Sequence, residues 1–164
     1  MARCIVCGVD ASPGARAAAR AAAGLAEALA ADLVLAHVAT APRTRGSAPT
    51  PEQHDAWRRR ATRAAEDLLA DIADDVDAPP ATERLCLFGD PARRLAELAR
   101  GRGALAIVLG ARGRDGVHPA SLGGVPAEVA AQAGRPVLVV PEGGETGLAS
   151  LGREPLGDPL PAGR

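Results

Sequence analysis

A glycine-rich stretch at positions 110–125 contains the residues whose types and spacing best suit ligand binding: GARGRDGVHPASLGGV. An apolar run at 104–109 precedes it, and an alanine-rich helical pattern at 127–133 follows it. The stretch is therefore predicted to join a buried strand to a helix. N–H groups at a helix start attract anions, and glycines let the backbone approach a ligand, which favours phosphate binding. An ordinary flexible turn has the same composition, so both interpretations stay open.

Residues typical of enzymes give little support for catalysis. The sequence lacks the patterns GxxxxGK[ST], GxSxG and HExxH. His37 falls in a predicted strand and is interpreted as structural, whereas His118 falls in the glycine-rich stretch and is the better functional candidate. The chain has no lysine, so arginine must supply any positive charge that holds a phosphate.

Cys4 and Cys7 have the Cys-x-x-Cys spacing of some redox and metal sites. They lie inside an apolar run that predicts a strand, where residues three apart point to opposite faces. A redox pair normally lies at a helix start. We therefore interpret both cysteines as small buried hydrophobic residues, and no second pair supports a zinc site.

Composition limits the function classes. A chain of 164 residues can form one domain with a sizeable core, and its net charge of −1 does not favour nucleic acid or an anionic membrane. With one Trp, one Phe and no Tyr, it lacks the aromatic surface on which bases stack. No apolar stretch approaches the ~20 residues of a membrane helix, and no signal peptide is recognisable, which predicts a cytoplasmic protein.

Strands and helices alternate along the chain. Short apolar or partly alternating runs predict strands at residues 4–9, 33–38, 82–88, 104–109 and 136–140. Helical patterns occupy residues 15–31, 52–72, 91–100 and 127–133. Asp10 or Ser12 is expected to cap the first helix, and Asp90 the third. The second helix has a basic cluster at 58–63 followed by acidic residues, which we interpret as a solvated, mixed-charge face.

This order predicts a single α/β domain at 1–141, with one doubly wound parallel sheet of five strands and helices on both faces. Residues 142–164 have no periodicity and are predicted to form a disordered tail. Ligands of such sheets bind beyond the carboxyl ends of the strands. Val9 and Asp10, His37 and Val38, and the glycine-rich stretch are expected to meet there.

Four segments of the chain together resemble the universal stress protein family, over residues 1 to about 141. The first is the opening IVCGVDASPG, and the second is FGDPA at 88–92. The third is the glycine spacing of the nucleotide-binding branch, Gly-x2-Gly-x9-Gly-Ser/Thr, which Gly110, Gly113 and Gly123 match. The last is RPVLVV at 135–140.

The resemblance implies the strand order 3-2-1-4-5, a homodimer through the strand at 136–140, and ATP in the crevice. It also allows Mg²⁺ to bind together with ATP. It implies that Asp10 lies at the adenine or ribose side and that Val38 contacts the base through its backbone. The full set of residues that it implies for nucleotide binding is Val9, Asp10, Val38, Leu109, Gly110, Arg112, Gly113, Gly123, Gly124 and Val125.

Two positions depart from the family pattern. Gly124 and Pro126 stand where the family has hydroxyl residues that contact phosphate, and Pro126 also lacks an N–H group. One hydrogen bond to a charged group contributes about 1.5–3 kcal/mol, so ATP binding should be weakened unless Ser121, Arg112 or another loop residue compensates. The sequence leaves two hypotheses: a nucleotide-binding sensor or switch with little or no ATP hydrolysis, and a dimeric interaction protein of the same fold that binds no nucleotide.

Overall fold

The computed structural model describes residues 3–42, 48–111 and 124–143. Its strands are β1 (Cys4–Gly8), β2 (Asp32–Ala39), β3 (Glu83–Phe88), β4 (Ala106–Gly110) and β5 (Val137–Val140). Its helices are α1 (Pro13–Ala28), α2 (Pro51–Asp75), α3 (Pro91–Arg102) and α4 (Gly124–Gln132). The predicted elements are all present, with ends that differ by a few residues.

The five strands form one parallel sheet in the order β3-β2-β1-β4-β5. This confirms the predicted doubly wound fold and its strand order. β2 and β3 lie on one side of β1, and β4 and β5 lie on the other. The order in which strands are added to the sheet therefore reverses between β1 and β4. Doubly wound sheets form a crevice at such a reversal, which in this chain falls at the carboxyl ends of β1 and β4.

Side chains of alternate residues along each strand enter two separate core layers. Ile5 and Cys7 pack with α1 and α2, whereas Cys4 and Val6 pack with α3 and α4 on the other face. Cys4 and Cys7 are free thiols on opposite faces, which confirms their interpretation as buried hydrophobic residues. Burial raises the pKa of Cys7 to about 12, so the thiol stays protonated and unreactive at neutral pH.

Local capping explains where the helices begin. Ser12 caps α1, since its Oγ accepts a hydrogen bond from the Ala15 N–H at 3.2 Å. Asp90 caps α3 in the same way, with its Oδ1 2.8 Å from the Arg93 nitrogen, as predicted. Thr50 and Gln53 form a reciprocal capping box at the start of α2. No helix within the described ranges is both long and apolar enough to cross a membrane.

Candidate functional site

The crevice is bounded by the ends of β1 and β4, which are neighbours in the sheet. Gly8 pairs with Leu109, so Val9 and Asp10 follow β1 beside the point where Gly110 ends β4. The structure thus brings together the ends of two strands that are about a hundred residues apart in the chain. This is the place where doubly wound sheets bind their ligands.

Asp10 lies in a tight turn between β1 and α1. Its Oδ1 accepts hydrogen bonds from the Ser12 N–H, at 3.0 Å, and from the Ser12 hydroxyl. Ser12 in turn caps α1, so the carboxylate is held by the same turn that starts the helix. The sequence left the cap open between Asp10 and Ser12, and the structure assigns it to Ser12. Asp10 is half-buried and fixed at the crevice.

Val9 is held by its backbone in two directions. Its N–H donates to the Ala36 carbonyl at 2.9 Å, and its carbonyl lies 2.9 Å from Nδ1 of His37. Because a carbonyl can only accept, Nδ1 of His37 carries the hydrogen in this contact. His37 therefore ties the end of β2 to the end of β1, which agrees with its structural interpretation. No sequence pattern indicated this particular partner.

Two of the predicted site residues have side chains that are buried in the core. Val9 is 6% exposed and Leu109 is 3% exposed, and they pack in different core layers. Val38 is half-buried and packs against the layer that contains Leu109. Any contact that Val9 and Leu109 make with a ligand must therefore come from their backbone atoms.

Close packing between β4 and α1 explains why residue 110 is a glycine. A Cβ at this position would lie 2.8 Å from the carbonyl carbon and oxygen of Gly14, and 3.2 Å from the Ala15 nitrogen. These are backbone atoms at the first turn of α1, so they cannot rotate away. The glycine thus allows α1 and the end of β4 to come close, whether or not it also faces a ligand.

Gly124 starts α4 in an open environment. It is exposed, and the nearest atom to a Cβ built there is Oε1 of Glu128, 4.0 Å away. Val125 is 37% exposed and Pro126 is buried. The first turn of α4 therefore presents N–H groups from Gly124 and Val125 but none from Pro126, with a carboxylate close by.

The other predicted loop residues cannot be placed. Arg112, Gly113 and Gly123 lie outside the described residues, as do the alternative candidates Ser121 and His118. Within the described ranges, no group of three or more His, Cys, Asp or Glu side chains could hold a metal ion. The described part of the predicted site therefore consists of residues at the strand ends and at the exposed start of α4: Val9, Asp10, Val38, Leu109, Gly110, Gly124 and Val125.

Five parallel strands in this order, with helices on both faces, define a doubly wound α/β protein. The model of the universal stress protein family matches residues 1–141. The chain belongs to that family. No match is found among curated proteins.

Solved structures agree with this assignment. A universal stress protein in complex with cAMP is 26% identical, with a TM-score of 0.63, over 85% of this chain and 97% of that one. A family member from Burkholderia pseudomallei is 29% identical, with a TM-score of 0.58, over 84% of this chain and 95% of that one. UspA from Lactobacillus plantarum is 25% identical, with a TM-score of 0.67, over 84% and 97% of the two chains.

Proposed function

We propose that this protein binds an adenine nucleotide, ATP in particular, in the crevice between β1 and β4 and acts as a stress-response sensor or switch. The observation that carries the proposal is the adjacency of Asp10 and Gly110 at the strand reversal of a universal stress protein fold. A similar family member was solved in complex with cAMP. That complex supports binding of an adenine nucleotide, and ATP is the particular nucleotide that we propose.

In the proposed complex, Asp10 faces the adenine or ribose, and the backbone at Val9 and Val38 faces the base. The turn that fixes Asp10 through Ser12 positions the carboxylate before the ligand arrives. The phosphates lie toward the glycine loop and the start of α4, where Gly124 and Val125 offer N–H groups. Arg112, Gly113 and Gly123 take their roles from the family spacing alone. Mg²⁺ would bind mainly through the ATP phosphates.

Two features at the start of α4 weaken phosphate binding. Pro126 removes one N–H donor, and Glu128 places negative charge next to Gly124. A phosphate at this helix start would be repelled by that carboxylate while being attracted by the helix dipole. We therefore expect ATP affinity below that of a site with hydroxyl residues at both family positions.

Calorimetry with ATP tests the proposal on matched variants. Gly124→Ser adds a hydroxyl where a Cβ has room, and we expect ATP to bind about tenfold more tightly, the effect of one net hydrogen bond to a charged group. Gly124→Ala adds the same Cβ without the hydroxyl and should give no gain. Glu128→Gln should tighten ATP binding at low salt, and the gain should shrink at high salt.

Two further measurements bear on the same site. Gly123→Val should reduce ATP binding sharply with the fold intact, because a branched side chain obstructs the backbone approach that the motif implies. Mass analysis of the nucleotide released from purified, denatured protein identifies the ligand directly. If neither the wild type nor Gly124→Ser binds any adenine nucleotide at millimolar concentration, the nucleotide proposal is wrong.

A second candidate function is a dimeric interaction protein that binds no nucleotide. The missing hydroxyls at Gly124 and Pro126 favour it, as does an open apolar edge at β5, where Leu138 is 36% exposed. Edge strands of this kind pair readily with another chain. We propose a homodimer through β5 under both candidate functions, so the calorimetry and the mass analysis of released nucleotide separate the two.

A further inference from the structure

Helix α2 has a solvent-facing stripe with its positive and negative charges at opposite ends. Arg59, Arg60 and Arg63 form the basic part, Asp67 and Asp74 form the acidic part, and all five are exposed. At 100° per residue these positions share one side of the helix. The opposite side is buried through Ala65, Leu69 and Ile72. We call the five charged residues the α2 charge stripe.

Interactions within α2 explain only part of this arrangement. Basic residues are favourable near a helix C-terminus and acidic ones near its N-terminus, and the α2 charge stripe has the reverse order. Arg59 and Arg63 are also four residues apart, a spacing at which like charges repel. Arg63 and Asp67 attract each other at the same spacing, so the unfavourable contributions are the order of the charges along the helix and the repulsion between Arg59 and Arg63. A partner that neutralises the stripe would relieve both.

Ion pairs neutralise several charges of the neighbouring elements. Both arginines of α1 pair with acidic residues at the end of α2: Arg16 with Asp71, and Arg20 with Asp75 at 2.8 Å. Arg102 at the end of α3 binds Glu83 through two contacts of 2.6 Å. Among the described residues, none of the five stripe members takes part in an ion pair.

We propose that the α2 charge stripe is a self-complementary contact with a second copy of this chain. The two α2 helices lie antiparallel about a two-fold axis near position 65. This register places Arg63 opposite Asp67 of the other copy, and Arg60 within about one turn of its Asp74. Each contact occurs twice, as two-fold symmetry requires.

Charge complementarity selects a second copy over other partners. An acidic partner would neutralise only the basic part of the stripe, and a basic partner only the acidic part. An antiparallel copy neutralises both at once and also sets the two helix dipoles in opposite directions. The helix is 25 residues long, about 37 Å, so the stripe can be matched along its length. The contact is independent of nucleotide binding and of the β5 edge.

Because surface ion pairs are individually weak and screened by salt, the contact should form at low ionic strength and dissociate at high ionic strength. Sedimentation equilibrium measures it in a Leu138→Lys background, where pairing through β5 is blocked. We expect the background protein to be dimeric in about 20 mM salt at high micromolar concentration and monomeric in about 0.5 M salt, where the Debye length is only a few ångströms.

Charge reversal makes the test specific. The variant Arg59→Glu/Arg63→Glu leaves Arg60 as the only basic residue of its stripe, and Asp67→Arg/Asp74→Arg has an all-basic stripe. Each alone should be monomeric at low salt, whereas an equimolar mixture should form a heterodimer. The matched control Arg3→Glu/Arg84→Glu has the same net charge as the first variant, changes exposed residues outside α2, and should still self-associate.

Three results would overturn the proposal. The first is a background protein that stays monomeric at low salt. The second is a mixture of the two reversed variants that fails to associate, although circular dichroism shows both to be folded. The third is self-association of the Arg59→Glu/Arg63→Glu variant as strong as that of the background protein, because this would place the contact elsewhere on the surface.

Discussion

The two edge strands of the sheet present different surfaces to solvent. At the β3 edge, Glu83 is held by Arg102, and the carbonyl of Phe88 accepts a hydrogen bond from Nε of Arg94 at 2.8 Å. The chain's single Trp and single Phe also meet there, with the rings of Trp57 and Phe88 5.6 Å apart in an edge-to-face arrangement. The β5 edge has only four residues, Val137–Val140, and none is charged.

This difference indicates which edge can pair with another chain. Charged side chains and bonded carbonyls discourage strand addition, whereas an apolar edge invites it. Neighbouring side chains therefore hinder strand addition at the β3 edge, whereas the β5 edge is open to pairing with another chain. The proposed dimer through β5 follows from this contrast as well as from the family resemblance.

The largest effect is expected from a charge in β5, which would make this edge as unfavourable for strand pairing as the β3 edge. Leu138→Lys places an ammonium group in the proposed dimer interface twice, once from each copy, and we expect the dimer dissociation constant to rise by at least about a hundredfold. Light scattering across a concentration series in about 0.5 M salt measures this change free of the α2 contact. Leu29→Lys is the matched control, because Leu29 is 37% exposed but lies at the end of α1. An unchanged dimer in Leu138→Lys would contradict pairing through β5.

The second prediction concerns the support behind β5. Gly110 pairs with Val140, and a Cβ there would overlap the backbone of Gly14. We expect Gly110→Ala to destabilise the protein by about 3 kcal/mol and to lower Tm by about 6–12 °C, because backbone atoms cannot yield to the added methyl group. Thermal unfolding followed by circular dichroism gives the value.

Gly24→Ala is the internal control for that measurement. Gly24 lies within α1, and nothing lies within 4 Å of a Cβ built on it. The substitution should therefore raise stability by about 0.5–1 kcal/mol through helix propensity. Equal effects of the two substitutions would show that Gly110 is not a close-contact position.

A smaller effect is expected at the protected edge. Trp57 is half-buried between His54 and Phe88, with ring centroids 5.7 and 5.6 Å away. Trp57→Ala should cost about 2 kcal/mol, less than for a fully buried ring, and Trp57→Phe should cost clearly less because it keeps an aromatic contact. Urea unfolding of both variants tests the order, and a cost for Phe equal to that for Ala would contradict it.

The smallest effect is expected for the ion pair at the start of β3. Glu83 and Arg102 are both exposed enough for solvent to screen their attraction, despite the paired geometry. Glu83→Gln should shift Tm by at most about 2 °C. A shift as large as that of Trp57→Ala would mean that this pair, rather than the ring cluster, dominates the stability of the β3 edge.

Much of this structure could be predicted from the sequence because its signals are local. Apolar runs set the strands, and Asp90 sets a helix start through its own backbone neighbours, whereas the cap of α1 was narrowed to Asp10 or Ser12. The alternation of elements implies a parallel sheet. The resemblance to the universal stress proteins, carried by residues such as Gly110 and Gly113, added the strand order. The opposite faces of Cys4 and Cys7 followed from strand geometry alone.

The tertiary structure decided what depends on contacts between distant segments. The bond between His37 and the Val9 carbonyl and the close approach of Gly110 to Gly14 each join segments that no local sequence pattern brings together. The same holds for α2, where the sequence predicted a solvated mixed-charge face. Only packing shows which of its acids α1 neutralises and which remain on the outer stripe, because burial and pairing are properties of the folded chain.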